Sequence, residues 1–316
     1  MSKISVMIPC FNEQENVVPM AEQLTELFRT QLSSYSYEIL FIDNRSTDGT
    51  RALLRQLCEK DRHIRAIFNA RNFGQFRSPY YGILQTTGDC TIMMCCDFQE
   101  PISMIPVMVR EWEQGTKIVV MQKNSSDEGK LMYLLRSGYY KLIHKYSDVE
   151  QIEHFTGFGL YDRSFVNVMR DLHDPIPFLR GVVAELGCKI KIIPYHQEKR
   201  RAGKTHNNWY TLYDAAMLSF TSYTKVGLRL ATILGVCIAA VSLLVALIYL
   251  ILKLSNWYGF EAGTAPIVIG MFFLGAVQLI FLGIIGEYIL SMNQRIMNRP
   301  LVVEEERINF DVSPDE

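Results

Sequence analysis

Asp97 and Gln99 stand two residues apart at the end of an apolar run, in Met93-Met-Cys-Cys-Asp-Phe-Gln-Glu-Pro101. Alternate side chains of an extended segment share a side, so a carboxylate and an amide at this spacing offer oxygen to one hard cation. Magnesium takes one or two protein carboxylates and completes its shell with phosphate and water. The other reading is a cap before a helix opened by Pro101. A second acid, Asp43, closes an apolar run in Asp43-Asn-Arg-Ser-Thr-Asp-Gly-Thr50. There it can accept hydrogen bonds from a nucleobase or ribose, although Ser46 or Thr47 can equally cap a helix and Asp48-Gly49 turn the chain. Two basic clusters follow: Arg136 and Lys141, on an expected helix over 130–146, and Lys199-Arg-Arg-Ala-Gly-Lys-Thr-His206. Arg200 with Gly203 and Thr205 suits a phosphate clamp, because guanidinium meets phosphate oxygens in bidentate fashion. A solvated loop is the alternative.

These residues need a frame that gathers the ends of strands. Apolar, β-rich runs predict strands over 4–8, 37–42, 64–68, 90–96, 117–121 and 188–194. Helical periodicity fills 13–30, 47–59, 73–85 and 102–112 between them. Such alternation implies an α/β fold, a mostly parallel sheet with helices on both faces. Ligands of such sheets bind beyond the carboxyl ends of the strands, where Asp43 and Asp97 fall.

The remainder of the chain meets a different solvent. No charge occurs in 230–252 or in 263–286, and about 20 apolar residues suffice to cross a hydrocarbon core. A hairpin of two spans, about 230–252 and 263–287, is expected. Lys225 and Arg229 precede it, Arg295 and Arg299 follow it, and the short connection holds only Lys253 as a cation. The positive-inside rule then puts both termini in the cytoplasm, as for an integral protein of the cytoplasmic membrane. The aromatic segment over 207–228 suits an amphipathic helix at the interface, and an ordinary packing helix competes with that reading. The expected units are a cytoplasmic catalytic domain over 1–206, the interfacial segment, the hairpin within 229–291 and a solvated cytoplasmic tail over 292–316.

The net charge of −1 over 316 residues supplies no basic field for nucleic acid. The seven cysteines form no CxxC pair and are expected to be reduced thiols. The apolar run at the amino terminus is too short for a signal peptide.

Together these pieces resemble family 2 glycosyltransferases of the polyprenyl-phosphate type. The resemblance runs through Pro9-Cys-Phe-Asn-Glu, Asp43-Asn-Arg-Ser-Thr-Asp-Gly-Thr, Arg71-Asn-Phe-Gly, Asp97-Phe-Gln-Glu-Pro, Phe178-Leu-Arg-Gly, Arg200-Arg-Ala-Gly-Lys-Thr, Gly286-Glu-Tyr-Ile and Arg299-Pro. It implies a GT-A fold and inverting transfer from a nucleoside diphosphate sugar to a polyprenyl phosphate. Pro9, Phe11, Glu13 and Asp43 would hold the nucleoside, with Cys95 and Cys96 beside it. Asp97 and Gln99 would bind Mg²⁺ or Mn²⁺, and Arg136, Lys141, Arg200 and Thr205 would hold donor or acceptor phosphates. Homo-oligomers, tetramers among them, are the family's habit. Three positions depart from the pattern. The family's Asp-x-Asp reads Cys95-Cys96-Asp97, its Thr-Gly-Asp-Phe-Arg reads Thr156-Gly-Phe-Gly-Leu160, and its Ser-Lys reads Thr205-His206. A catalytically degenerate nucleotide-binding scaffold, or a transferase with a glycan or protein acceptor, stands beside the enzyme reading.

Overall fold

Strand β1 (Lys3–Cys10) shows why the sheet is buried on both faces. Ile4, Val6, Ile8 and Cys10 enter the cluster shared with α1 (Val17–Thr30) and α2 (Thr50–Lys60), while Met7 enters the opposite cluster with α3 (Gly74–Gln85). Period-two alternation with apolar residues at both phases produces that arrangement. The computed structural model describes residues 1–124, 152–187, 189–198, 200–201, 217–218, 220–222, 226–255 and 264–310.

Strands β2 (Ser36–Asp43), β3 (Ile64–Asn69) and β4 (Cys90–Met93) join β1 in parallel, each crossover carrying a helix. A 3₁₀ turn (Ile102–Met104) and α4 (Ile105–Glu113) then lead to β5 (Ile118–Lys123). Strand β6 (Phe155–Asp162) runs antiparallel between β4 and β5, and α5 (Arg163–Asp171) and α6 (Leu179–Leu186) follow it. Strand β7 (Ile190–Tyr195) pairs in parallel with β5. The sheet has eight strands in the order β7-β5-β6-β4-β1-β2-β3-β8. The mostly parallel sheet is present, and its antiparallel members β6 and β8 (Glu304–Ile308) have no counterpart among the expected strands.

Two expectations need correction. The strand expected over 90–96 ends at Met93, and Phe98 takes a left-handed φ of 60°. The segment carrying Asp97 and Gln99 is therefore a turn, without the alternation of an extended chain. The tail is not wholly solvated either. Glu304–Ile308 forms β8, antiparallel to β3. Glu305 pairs with Arg45 at 2.5 Å and with Arg51 at 3.0 Å, and Glu306 pairs with Arg55 at 2.6 Å. The Asn309 amide donates to Cys58 O and Ile64 O. A run dense in glutamate reads as solvated until Arg45 of the loop after β2 and Arg51 and Arg55 of α2 face it.

Helices α7 (Val226–Ser255) and α8 (Thr264–Ile296) contact each other after the sheet domain. Among the described residues one stretch, Phe273–Ile296, is long and apolar enough to cross a membrane, with a mean hydropathy of 2.0 and no buried share. The first expected span lies within α7, several of whose side chains fall outside the described residues. Most of the interfacial segment over 207–228 falls outside them as well.

At the amino-terminal edge of the sheet, Glu38 is 2% exposed and gathers Lys3 Nζ at 2.7 Å, Arg65 Nη1 at 3.0 Å and Ser5 Oγ at 2.6 Å. Thr87 adds its N–H at 2.6 Å and its hydroxyl at 2.8 Å. Burial raises the carboxyl, but Lys3, Ser5 and Thr87 outweigh it and hold the group down at about 2. A depressed pKa contributes stability above the unfolded value, and that contribution is lost as pH falls. Glu38→Gln is expected to cost about 3 kcal/mol at neutral pH. It should also remove the part of the acid unfolding transition that lies between about 4.5 and 2; denaturant titration across pH checks both. A chain ending after Arg299 lacks β8 and should melt roughly 5 °C or more below the full chain by calorimetry.

Candidate functional site

The carboxyl ends of β1 and β2 are laced by side chains from the loops that follow them. Asn12 N–H donates to Ser46 Oγ at 2.9 Å, and Thr47 N–H donates to Asn12 Oδ1 at 2.8 Å. Glu13 N–H donates to Thr50 Oγ1, and Gly49 N–H donates to Gln14 Oε1. Left-handed φ values at Asn12 (57°) and Arg45 (68°) bend both loops away from the sheet. The motif residues Asn-Glu and Ser-Thr-Asp-Gly-Thr thus satisfy loop backbone that strand pairing leaves open.

Above these ends lies a cavity of about 600 Å³. Of the expected site residues, Pro9, Phe11, Glu13, Cys95, Cys96, Asp97 and Arg200 line it together. Asp43 does not. It is fully buried, accepts the Ser46 N–H at 3.2 Å and lies 3.4 Å from Arg51 Nε. Burial raises its pKa against those hydrogen bonds. Its carboxylate holds the loop. Arg136, Lys141 and Thr205 lie outside the described residues. Gln99 is half-buried and is not among the residues lining the cavity; its N–H donates to Asp97 Oδ1 at 3.2 Å.

Asp97 is 6% exposed, and Arg200 Nη2 meets its Oδ2 at 2.9 Å. The segment carrying Arg200 is laid along the turn by Glu198 N–H to Gln99 O and Arg201 N–H to Asp97 O. The Arg201 guanidinium lies 5.2 Å from the centre of the Phe98 ring, a cation–π distance. Burial raises Glu13, a hydrogen bond from Asn16 opposes the rise, and the charge of Asp97 adds to it. Two acids, Glu13 and Asp97, and two arginines, Arg180 and Arg200, therefore line the cavity.

Two polar residues escaped the sequence reading. Asn44 is a hub: its amide donates to Asn72 Oδ1 and Gly74 O, and its Oδ1 accepts from Asn69 Nδ2 and Phe73 N–H. Its position beside Asp43 was the available signal. Glu100, 3% exposed, accepts Cys95 N–H at 2.6 Å and Thr156 Oγ1–H at 3.0 Å. Burial pushes it up to about 7, with the charge of Asp97 adding, against those hydrogen bonds. Thr156, which also lines the cavity, reaches it from an element that had not been expected.

Phe158, where the resemblance expects an aspartate, is buried with its ring 5.4 Å from that of Tyr195. Next to it, a Cβ on Gly159 would stand 2.4 Å from Val119 O, so only glycine lets β6 approach β5 there. Burial and the neighbouring Cys96 raise the Cys10 thiol, which keeps it protonated and unreactive.

The fold and the cavity define an α/β protein with an acid–arginine pair at the ligand-binding edge of its sheet. The sequence profile described as "Glycosyl transferase family 2" matches residues 5–174, and the chain belongs to that family. Its relatives are of the polyprenyl-phosphate type. A prophage bactoprenol glucosyl transferase homolog of Escherichia coli (strain K12) is 30% identical over 288 residues, covering 91% of this chain and 93% of that protein. The SfII prophage-derived bactoprenol glucosyl transferase of Shigella flexneri is 29% identical, covering 94% and 96%. The bactoprenol glucosyl transferase of Shigella phage SfX is 30% identical, covering 94% and 97%. The mostly parallel α/β sheet agrees with the fold class that the sequence implied.

Removing the Asn44 amide leaves buried partners open, so Asn44→Ala is expected to lose roughly 2–3 kcal/mol. Chemical denaturation checks this, and a loss under about 0.5 kcal/mol would contradict the hub.

Proposed function

We propose that this chain moves a sugar from a UDP-sugar, UDP-glucose being favoured, to polyprenyl (undecaprenyl) phosphate, with inversion, at the cytoplasmic membrane face. The observation that carries the reading is the buried Asp97 with Arg200 on the cavity at the strand ends. The relatives' printed names, bactoprenol glucosyl transferase, support the acceptor.

A phosphate monoester is mostly a dianion at neutral pH, because its second pKa lies near 6. It attacks without a strong base, and the apolar burial of Phe158 costs the reaction little. What the reaction demands is cationic charge on the departing diphosphate and reactants held in line. Arg200 supplies charge within reach of Asp97. Pro9 and Phe11 form an apolar wall for the base, and Glu13 offers an acceptor at the rim. Glu100, held by Cys95 N–H and Thr156, keeps the turn that presents Asp97 in place.

Mg²⁺ or Mn²⁺ fits the oxygen donors in part. Asp97 and Glu13 are hard ligands on one rim, whereas Gln99 would have to turn toward the cavity. Asp97 would hold the ion, which when bound neutralises the diphosphate. Among the described residues no group of three or more His, Cys, Asp or Glu forms a metal cluster, and one carboxylate with phosphate oxygens and water suits magnesium.

The hairpin belongs to the same proposal, with both spans crossing and both termini cytoplasmic. Large apolar side chains stand exposed on both helices, Val236 at 64% and Val241 at 62% on α7, Leu279 at 69% and Leu282 at 65% on α8. Lipid or a further copy of the chain, as in a tetramer, would cover them.

Asp97→Ala is expected to abolish transfer in membranes supplied with radiolabelled nucleotide sugar; full activity there sinks the proposal for Asp97. Cys95→Asp, which returns the family's acid, should keep activity. A scaffold without chemistry would bind UDP with Mn²⁺ by calorimetry and show no turnover. Mass spectrometry of lipid products from a panel of nucleotide sugars tests the donor.

A further inference from the structure

Arg71, Arg77 and Arg299 lie where the membrane helix meets the sheet domain. Helix α8 ends at Ile296, and Asn298 at φ 42° turns the chain out of it. Ala70 N–H donates to Val303 O at 2.9 Å, which lays the segment after Arg299 along the residue before Arg71. Arg71 and Arg299 are exposed and Arg77 is half-buried. Burial lowers the pKa of Arg77, and the charges of Arg71 and Arg299 lower it further, so both lie within electrostatic reach of Arg77. The acid facing them, Asp174, is taken by Arg295 Nη1 at 2.8 Å. Among the described residues none of the three makes an ion pair. The patch adjoins the cavity, since Phe76 and Ser78 on either side of Arg77 line it, as does Phe178, 5.6 Å from the Phe76 ring.

Like charges held together are unfavourable unless an anion joins them. Here they stand just past the carboxy-terminal end of the apolar helix α8, which on the topology proposed above is where lipid headgroups would sit. A phosphate monoester carries nearly two charges near neutrality and three acceptor oxygens, which suits converging guanidinium groups better than a singly charged diester.

We propose that Arg71, Arg77 and Arg299 form a landing site for the phosphate monoester of the acceptor lipid, from which it passes into the cavity toward Arg200. This rests on the acceptor proposed above. These are positioning residues, and the site is separate from the cavity rim at Asp97.

The test uses the full chain in nanodiscs of neutral phosphatidylcholine, titrated with radiolabelled undecaprenyl phosphate. Because both residues are exposed, R71Q/R299Q should fold, and thermal unfolding confirms it. Its affinity for the lipid phosphate should fall roughly tenfold or more, with UDP binding by calorimetry unchanged and R71K/R299K recovering part of the loss. Equal lipid affinity in R71Q/R299Q and the unaltered chain overturns the landing site and leaves the acceptor reading intact. No lipid binding by the unaltered chain overturns both. Association with phosphatidylglycerol nanodiscs that falls as steeply overturns the monoester assignment in favour of a general anionic surface. Competition by inorganic phosphate alone, with no preference for the prenyl form, overturns the lipid as occupant.

Discussion

A carboxylate removed from water stands only with a cation or hydrogen-bond donors beside it, and Asp97 sets that condition at the centre of this molecule. Arg200 meets it from a segment more than a hundred residues away in the chain. The contact draws that segment across the ends of the central strands, where backbone hydrogen bonds to Gln99 and Asp97 and the Arg201–Phe98 stacking hold it. The cavity acquires a wall and a positive charge by one requirement.

The second organising contact joins the apolar carboxy-terminal region of the chain to the sheet. After α8 the chain turns at Asn298 and adds β8 to the edge at β3. Glu305 then bridges to Arg45 and Arg51, and Arg51 lies beside Asp43. The loop after β2 is thus braced from two directions: Asn12 and Gln14 on the cavity side, Glu305 on the outer side. Added β8 also covers an edge that would otherwise present open pairing groups. The long apolar helix α8 and the loops around the cavity consequently belong to one connected unit.

Where sequence reasoning succeeded and failed follows from the range of the interactions. Strands β1 to β3, with their alternating helices, were legible because apolar runs and helical periodicity are local patterns. Strand β6 was not, since Phe155–Asp162 carries two glycines and a threonine whose suitability depends on Val119 O and Met93 nearby. Strand β8 was hidden because Glu304, Glu305 and Glu306 read as solvent-loving until Arg51 and Arg55 are placed opposite them. Asp43 drew attention correctly as a strand-end acid, yet its carboxylate serves Ser46 and Arg51, while its neighbour Asn44 faces the cavity.

By itself the sequence determined the α/β class, the apolar carboxy-terminal region, the family resemblance and seven of the residues that gather at the cavity: Pro9, Phe11, Glu13, Cys95, Cys96, Asp97 and Arg200. Tertiary structure alone decided which acid faces the cavity and which braces a loop, that Asp97 sits in a turn, that Glu100 is buried beside Thr156, and that the segment after α8 returns to the sheet edge as β8. The reason is physical. Hydrophobic periodicity is written over neighbouring residues, whereas desolvation and charge pairing depend on partners that only folding brings within about 3 Å.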